Sequence, residues 1–123
     1  MPVKSLNSSV LKWPDKRTID QAIRNWIDKE KEQHPELISL GYFGSYARGN
    51  WGVGSDLDIV GIIDESNIPF EKRALSWDLS ELPVPAEIIL YTKKEWAQFK
   101  SEGRRFIKTL LNETVWIFGQ NNL

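Results

Sequence analysis

The stretch Gly44-Ser45-Tyr46-Ala47-Arg48-Gly49-Asn50-Trp51-Gly52-Val53-Gly54-Ser55-Asp56-Leu57-Asp58 decides the fold, because it joins two apolar runs and carries polar groups that neither run explains. Before it, Leu37-Ile38-Ser39-Leu40-Gly41-Tyr42-Phe43 is short, apolar and bounded by Pro35 and Gly44, the pattern of a buried strand. After it, Leu57-Asp58-Ile59-Val60-Gly61-Ile62-Ile63 is a second β-branched strand with an acid inside it. Strand side chains alternate between faces, so Asp56 and Asp58 share one face while Leu57, Ile59 and Ile63 take the other. Carboxylates held side by side repel unless something positive lies between them. Oxygen ligands with no His or Cys nearby favour Mg²⁺ or Mn²⁺. An isolated Asp-x-Asp also reads as a turn cap at Asp56 with a solvent-facing Asp58. Its place at the head of an apolar strand, at a set distance after Gly-Ser, favours the metal.

The upstream half has its own logic. A strand ending in Gly44 lets backbone approach a ligand closely, and a short helical turn can open near Ser45. Unpaired N–H groups at a helix start suit a triphosphate, and the Ser45 hydroxyl adds a donor. Arg48 either adds positive charge for phosphate or pairs with a nearby carboxylate to shape the turn. Trp51, at the tip of a glycine-rich loop, either stacks on a base or packs on neighbouring protein.

The sequence from Gly44-Ser45 through Asp56-Leu57-Asp58 resembles the signature of the minimal nucleotidyltransferases of the DNA polymerase β superfamily, and the order of apolar runs agrees from about Asp15 onward. The spacing is also similar to that of the antitoxins that pair with HEPN-domain ribonuclease toxins. The resemblance implies an α/β (α+β) fold, a small mixed sheet with helices packed on it. It further implies two Mg²⁺ ions, with Mn²⁺ as the alternative, ATP as donor, and transfer of AMP or another nucleoside monophosphate to a hydroxyl, for which a tyrosine of a HEPN toxin partner is the best-described acceptor. Such chemistry needs a third carboxylate on a neighbouring strand. Glu87 is the only acid in the strand-like run Val84 to Tyr91. Family members commonly carry Asp there, so this chain departs by one methylene; an exposed sheet edge is the structural alternative for Glu87. The catalytic and metal set is thus Asp56, Asp58 and Glu87, and the phosphate-binding set Gly44, Ser45 and Arg48.

A chain of 123 residues bounds the protein to one domain, expected over 14–123 behind an arm at 1–13 that Val10, Leu11 and Trp13 staple to the body. The absence of cysteine excludes thiolate metal sites and disulfides and fits a reducing cytoplasm. No run approaches the roughly 18 apolar residues of a membrane span. A net charge of −1 argues against bulk nucleic-acid binding; the Lys93-Lys94 and Arg104-Arg105-Lys108 clusters read most simply as solvated helix faces, with docking of an acidic partner or an RNA end as the alternative. His34, before Pro35, suits a helix end rather than catalysis, which leaves Glu87 or water as base.

The scaffold reads as a helix from Thr18 to Gln33 with Ile19, Ala22, Ile23, Trp26 and Ile27 on one face and a Thr18–Gln21 capping box. A helix follows from Pro69 to Leu79 with Phe70, Ala74 and Trp77 apolar. After the third strand come a helix capped by Thr92 and Glu95 with Trp96 and Phe99 inward, a helical segment from Arg104 to Leu111 and a strand Val115–Phe118. Trp26, Trp77 and Trp96 suit the core, whereas Trp13, Trp51 and Trp116 suit partly exposed places that weakly favour a protein partner or an oligomer. Two other functions share the pattern: the same transfer to a small molecule or RNA end, which a chain with no second substrate domain fits poorly, and an antitoxin that neutralises by contact alone.

Overall fold

The computed structural model describes residues 13–119. The expected arm lies outside them except for Trp13, as do Val10, Leu11 and residues 120–123. The chain runs through helix α1 (Lys16–Glu30), a 3-10 turn (Lys31–Gln33), strand β1 (Leu37–Phe43), the one-turn helix α2 (Ser45–Arg48), β2 (Leu57–Ile63), a 3-10 segment (Phe70–Ser76), β3 (Ala86–Thr92), α3 (Lys93–Ser101), α4 (Arg105–Glu113) and β4 (Val115–Gly119). The sheet order is β3-β2-β1-β4. β1 is antiparallel to β2 and β4, and β2 is parallel to β3. This is the small mixed sheet with packed helices that the sequence implies. β3 begins at Ala86 rather than Val84 because Pro85 has no N–H for the ladder; its carbonyl accepts from Leu57 N–H at 2.8 Å.

α1 starts earlier than the periodicity suggests. Asp15 is the N-cap, its carboxylate accepting from the Thr18 N–H at 2.9 Å, and Gln21 bonds Asn25 instead of closing a box on Thr18. Asp at an N-cap supplies an acceptor for an otherwise unpaired N–H. Ile19, Ile23, Trp26 and Ile27 are buried and Ala22 half-buried, and the α-helical turns end at Glu30 before His34-Pro35. His34 packs there, stacked on Trp77 with ring centroids 3.7 Å apart and with Glu30 and Glu36 each 3.3 Å from a ring nitrogen.

The expected helix from Pro69 to Leu79 is a 3-10 segment ending at Ser76, and its anchor is polar rather than an apolar stripe. Arg73 is buried, donating to the carbonyls of Ile68 and Leu90 and forming a bidentate pair with Glu95 at 2.6 and 3.0 Å. Of its apolar residues Phe70 is exposed, Ala74 half-buried and Trp77 buried. Glu95 also closes the capping box with Thr92 that the sequence indicates.

The sheet divides the core into two layers. Against α1 pack Leu40, Tyr42, Leu57, Ile59 and Ile63; on the other face Val60, Ile62 and Tyr91 pack with Trp96, Ile107 and Leu110 of α3 and α4. Gly41 permits the close passage of β4, since a Cβ there would lie 2.6 Å from the Val115 carbonyl. Trp26, Trp77 and Trp96 are core residues, whereas Trp13, Trp51 and Trp116 are half-buried. Among the described residues no helix is long and apolar enough to cross a membrane.

Candidate active site

Strand register brings the candidate acids together at one end of the sheet. Phe43, the last residue of β1, lies opposite Asp58, and Asp58 is in register with Glu87 on β3. Asp56 precedes β2 by one residue and so enters the site from the loop. Asp58 is half-buried, while Asp56 and Glu87 are exposed. Burial raises the pKa of Asp58, reinforced by the charges of Glu87, then Asp56, then Glu113; Arg48 opposes the rise. Four carboxylates therefore share this end of the sheet.

The phosphate-type turn adjoins them. Gly44 has φ +81° and ψ −153°, a conformation essentially confined to glycine. A Cβ at this position would run into the Asp58 Oδ2, so the turn and the acid fit each other only through the missing side chain. Ser45 opens α2, and Gly49 closes it in the left-handed region at φ +83°. Trp51 packs on protein, its ring stacked on Tyr46 at 5.8 Å, and Tyr46 is also bonded by Trp13 Nε1 at 2.8 Å. The loop tip is thereby tied to the start of α1.

A cleft of about 360 Å³ is bounded by Phe43, Gly44, Ser45, Arg48, Asp56 and Asp58, and on its far side by Phe106, Thr109 and Glu113 of α4. Glu87 is not part of its wall and stands beside Asp58 on the adjoining strand. The α4 residues are absent from the sequence reading, which ends that helix at Leu111. Their spacing of three and four was the available signal, because such positions share a helix face. Glu113 accepts the Gly44 N–H at 2.7 Å and faces Arg48 Nη1 at 3.3 Å. Of the two readings of Arg48, the structure thus displays the carboxylate pair. Glu113 holds the Gly44–Arg48 turn from behind, and Glu113→Gln, which keeps an acceptor but removes the charge, is expected to lower turnover about 10- to 100-fold. Steady-state kinetics with a melting curve as control check this.

Among the described residues no three His, Cys, Asp or Glu side chains form a ready-made metal cage. The oxygen-only donor set, with Asp58 crowded by like charge, fits an ion of the Mg²⁺ type, which takes a few carboxylates and completes its shell with water and substrate phosphate. Asp56 and Asp58 would hold it, with Glu87 alongside. The same crowding has a pH signature in the metal-free protein. The folded state binds the Asp58 proton more tightly than the unfolded chain, so this group's contribution favours folding below the usual carboxylate pKa and is lost as pH rises through the raised value. Melting of the metal-free wild type against Asp58→Asn across the acid range reads this difference directly; a gap that narrows toward acid pH is expected.

Residues 21–117 match the family described as nucleotidyltransferase domain. Among solved structures, a candidate nucleotidyltransferase from Sulfolobus solfataricus superposes with a TM-score of 0.61 at 15% identity, covering 87% of this chain and 86% of that one. A toxin–antitoxin structure with AMP-PNP superposes with a TM-score of 0.52 at 20% identity, covering 79% of this chain and 73% of the other. No curated protein matches the sequence. The chain belongs to the nucleotidyltransferase domain family, and it is a nucleotidyltransferase whose sheet and helices have the fold of those structures.

Proposed function

We propose that this protein is a Mg²⁺-dependent nucleotidyltransferase that moves a nucleoside monophosphate, AMP from ATP, onto a hydroxyl of a HEPN-type toxin partner and so acts as its antitoxin in the cytoplasm. The observation that carries the chemistry is Asp58, half-buried in a phosphate-sized cleft and charge-crowded by Asp56, Glu87 and Glu113. Asp56, Asp58 and Glu87 are the proposed metal ligands, and Gly44, Ser45 and Arg48 the proposed phosphate contacts. The ion, when bound, supplies charge stabilisation at the transferring phosphoryl group. In the transfer, the acceptor oxygen bonds to the α-phosphorus and the bond to the β-phosphate oxygen breaks, releasing pyrophosphate. The hydroxyl proton goes to Glu87 or water. The partner is supported by the motif spacing and by the fold shared with a protein of a toxin–antitoxin pair crystallised with AMP-PNP.

The test is intact-mass spectrometry of the protein encoded beside this one, after incubation with this chain, Mg²⁺ and each nucleoside triphosphate in turn. A gain of one or more nucleoside monophosphate masses, largest with ATP and absent with Asp58→Asn, is expected. A stable complex with no mass gain would replace the enzyme reading of the pair with neutralisation by contact.

A further inference from the structure

β3 places Glu87, Ile89 and Tyr91 on one face, in register with Asp58, Val60 and Ile62 of β2. That face runs from the acids to an aromatic end, where Phe70, Phe99 and Phe106 stand with Tyr91 around a second cavity of about 310 Å³. Phe106 lines both this cavity and the cleft, so the two are neighbours. The four strand steps from Glu87 to Tyr91 cover roughly 13 Å, a nucleotide-sized span.

The walls suit a flat π system. The Phe70 and Tyr91 rings lie 5.3 Å apart, Phe99 meets Tyr91 edge-on at 5.8 Å, and the Arg104 guanidinium lies 4.0 Å over Phe99. Phe70 and Phe106 are 43% and 46% exposed, large apolar rings offered to the cavity mouth rather than spent on the core. Bases stack on such rings and on guanidinium planes. Glu95, at the same wall, is engaged within the protein: Oε1 accepts from Arg73 and from the Thr92 N–H, Oε2 accepts from Arg73, and the Thr92 side chain bonds the same carboxylate.

We infer that this aromatic cavity is the nucleobase subsite of the donor nucleotide, with Phe70 and Phe106 stacking the base. The inference rests on the reading of the adjoining cleft as the triphosphate site. It explains why an aromatic cavity adjoins an acidic cleft at all: one substrate has a highly charged end and a flat apolar end.

The experiment is calorimetric binding, in Mg²⁺, of ATP and inorganic tripolyphosphate to the wild type and to Phe70→Ala. Phe70 lines the second cavity and is exposed, with its ring against Tyr91 and the Arg73 guanidinium, so a melting curve of the variant accompanies the titrations to verify its fold. ATP affinity should fall about 10-fold in the variant while tripolyphosphate affinity stays the same. Unchanged ATP affinity in the variant, or equal losses for ATP and tripolyphosphate, would overturn the base subsite. Tripolyphosphate binding as tight as ATP would refute the subsite while leaving the cleft intact, whereas a wild type that binds neither would refute the cleft and the subsite together.

Discussion

Asp58→Asn is expected to reduce nucleotidyl transfer by about 1000-fold or more, because a metal-bound phosphoryl group is stabilised by several kcal/mol and each 1.4 kcal/mol is about tenfold in rate. The same variant should melt at a higher temperature than the wild type in the absence of metal at neutral pH. Burial and the charges of Glu87, Asp56 and Glu113 all oppose ionisation of Asp58, so the amide removes a repulsion that the fold otherwise carries. Loss of activity with gain of stability is the mark of a residue placed for a ligand rather than for folding. Transfer of α-labelled ATP to the partner and a pair of melting curves measure both halves. Full turnover would remove Asp58 from the site, and a lowered melting temperature would make it a structural acid.

Gly44→Ala should be nearly as damaging by a different route. The backbone conformation at Gly44 costs a residue with a side chain about 1–3 kcal/mol. The new methyl would also strike the Asp58 carboxylate. A displacement of about 1 Å at a reacting centre can cost on the order of 100-fold, so turnover should fall by at least that much. Gly49→Ala is the matched control. It too has positive φ, but a Cβ there meets nothing within 4 Å. It should lose stability of about 1–2 kcal/mol with little loss of turnover. Urea melts and kcat for the two variants separate backbone strain from damage to the acid; equal kcat losses would mean that the Gly44–Asp58 contact is not what matters.

What the sequence made legible follows from which forces are local. β1 and β2 fall on the residues read from their apolar runs because a buried strand needs nothing beyond its own pattern and its terminators. The Thr92–Glu95 box was readable for the same reason, as both partners lie within one turn. Asp58 was visible as an anomaly inside an apolar strand, with Asp56 just ahead of it. Glu113 was not, since its partners Gly44 and Arg48 are far away in the chain and it resembles any acid near a helix end. Arg73 hid likewise: its burial depends on Glu95 and the Leu90 carbonyl, neither of which its neighbours announce. The segment from Phe70 consequently read as an amphipathic helix when its anchor is an ion pair. Thr18 looked like a cap, but Asp15, three residues earlier, supplies the carboxylate and makes Thr18 the donor.

The central claim is that acids at one end of this sheet hold a divalent cation together with a nucleoside triphosphate. Electron paramagnetic resonance of Mn²⁺, titrated into the protein with and without AMP-PNP, tests it without need of the acceptor. Wild type should convert free Mn²⁺ to a bound form that AMP-PNP strengthens, and Asp58→Asn should leave most of the ion free. Equal binding by the two proteins, or binding indifferent to the nucleotide, would contradict the account.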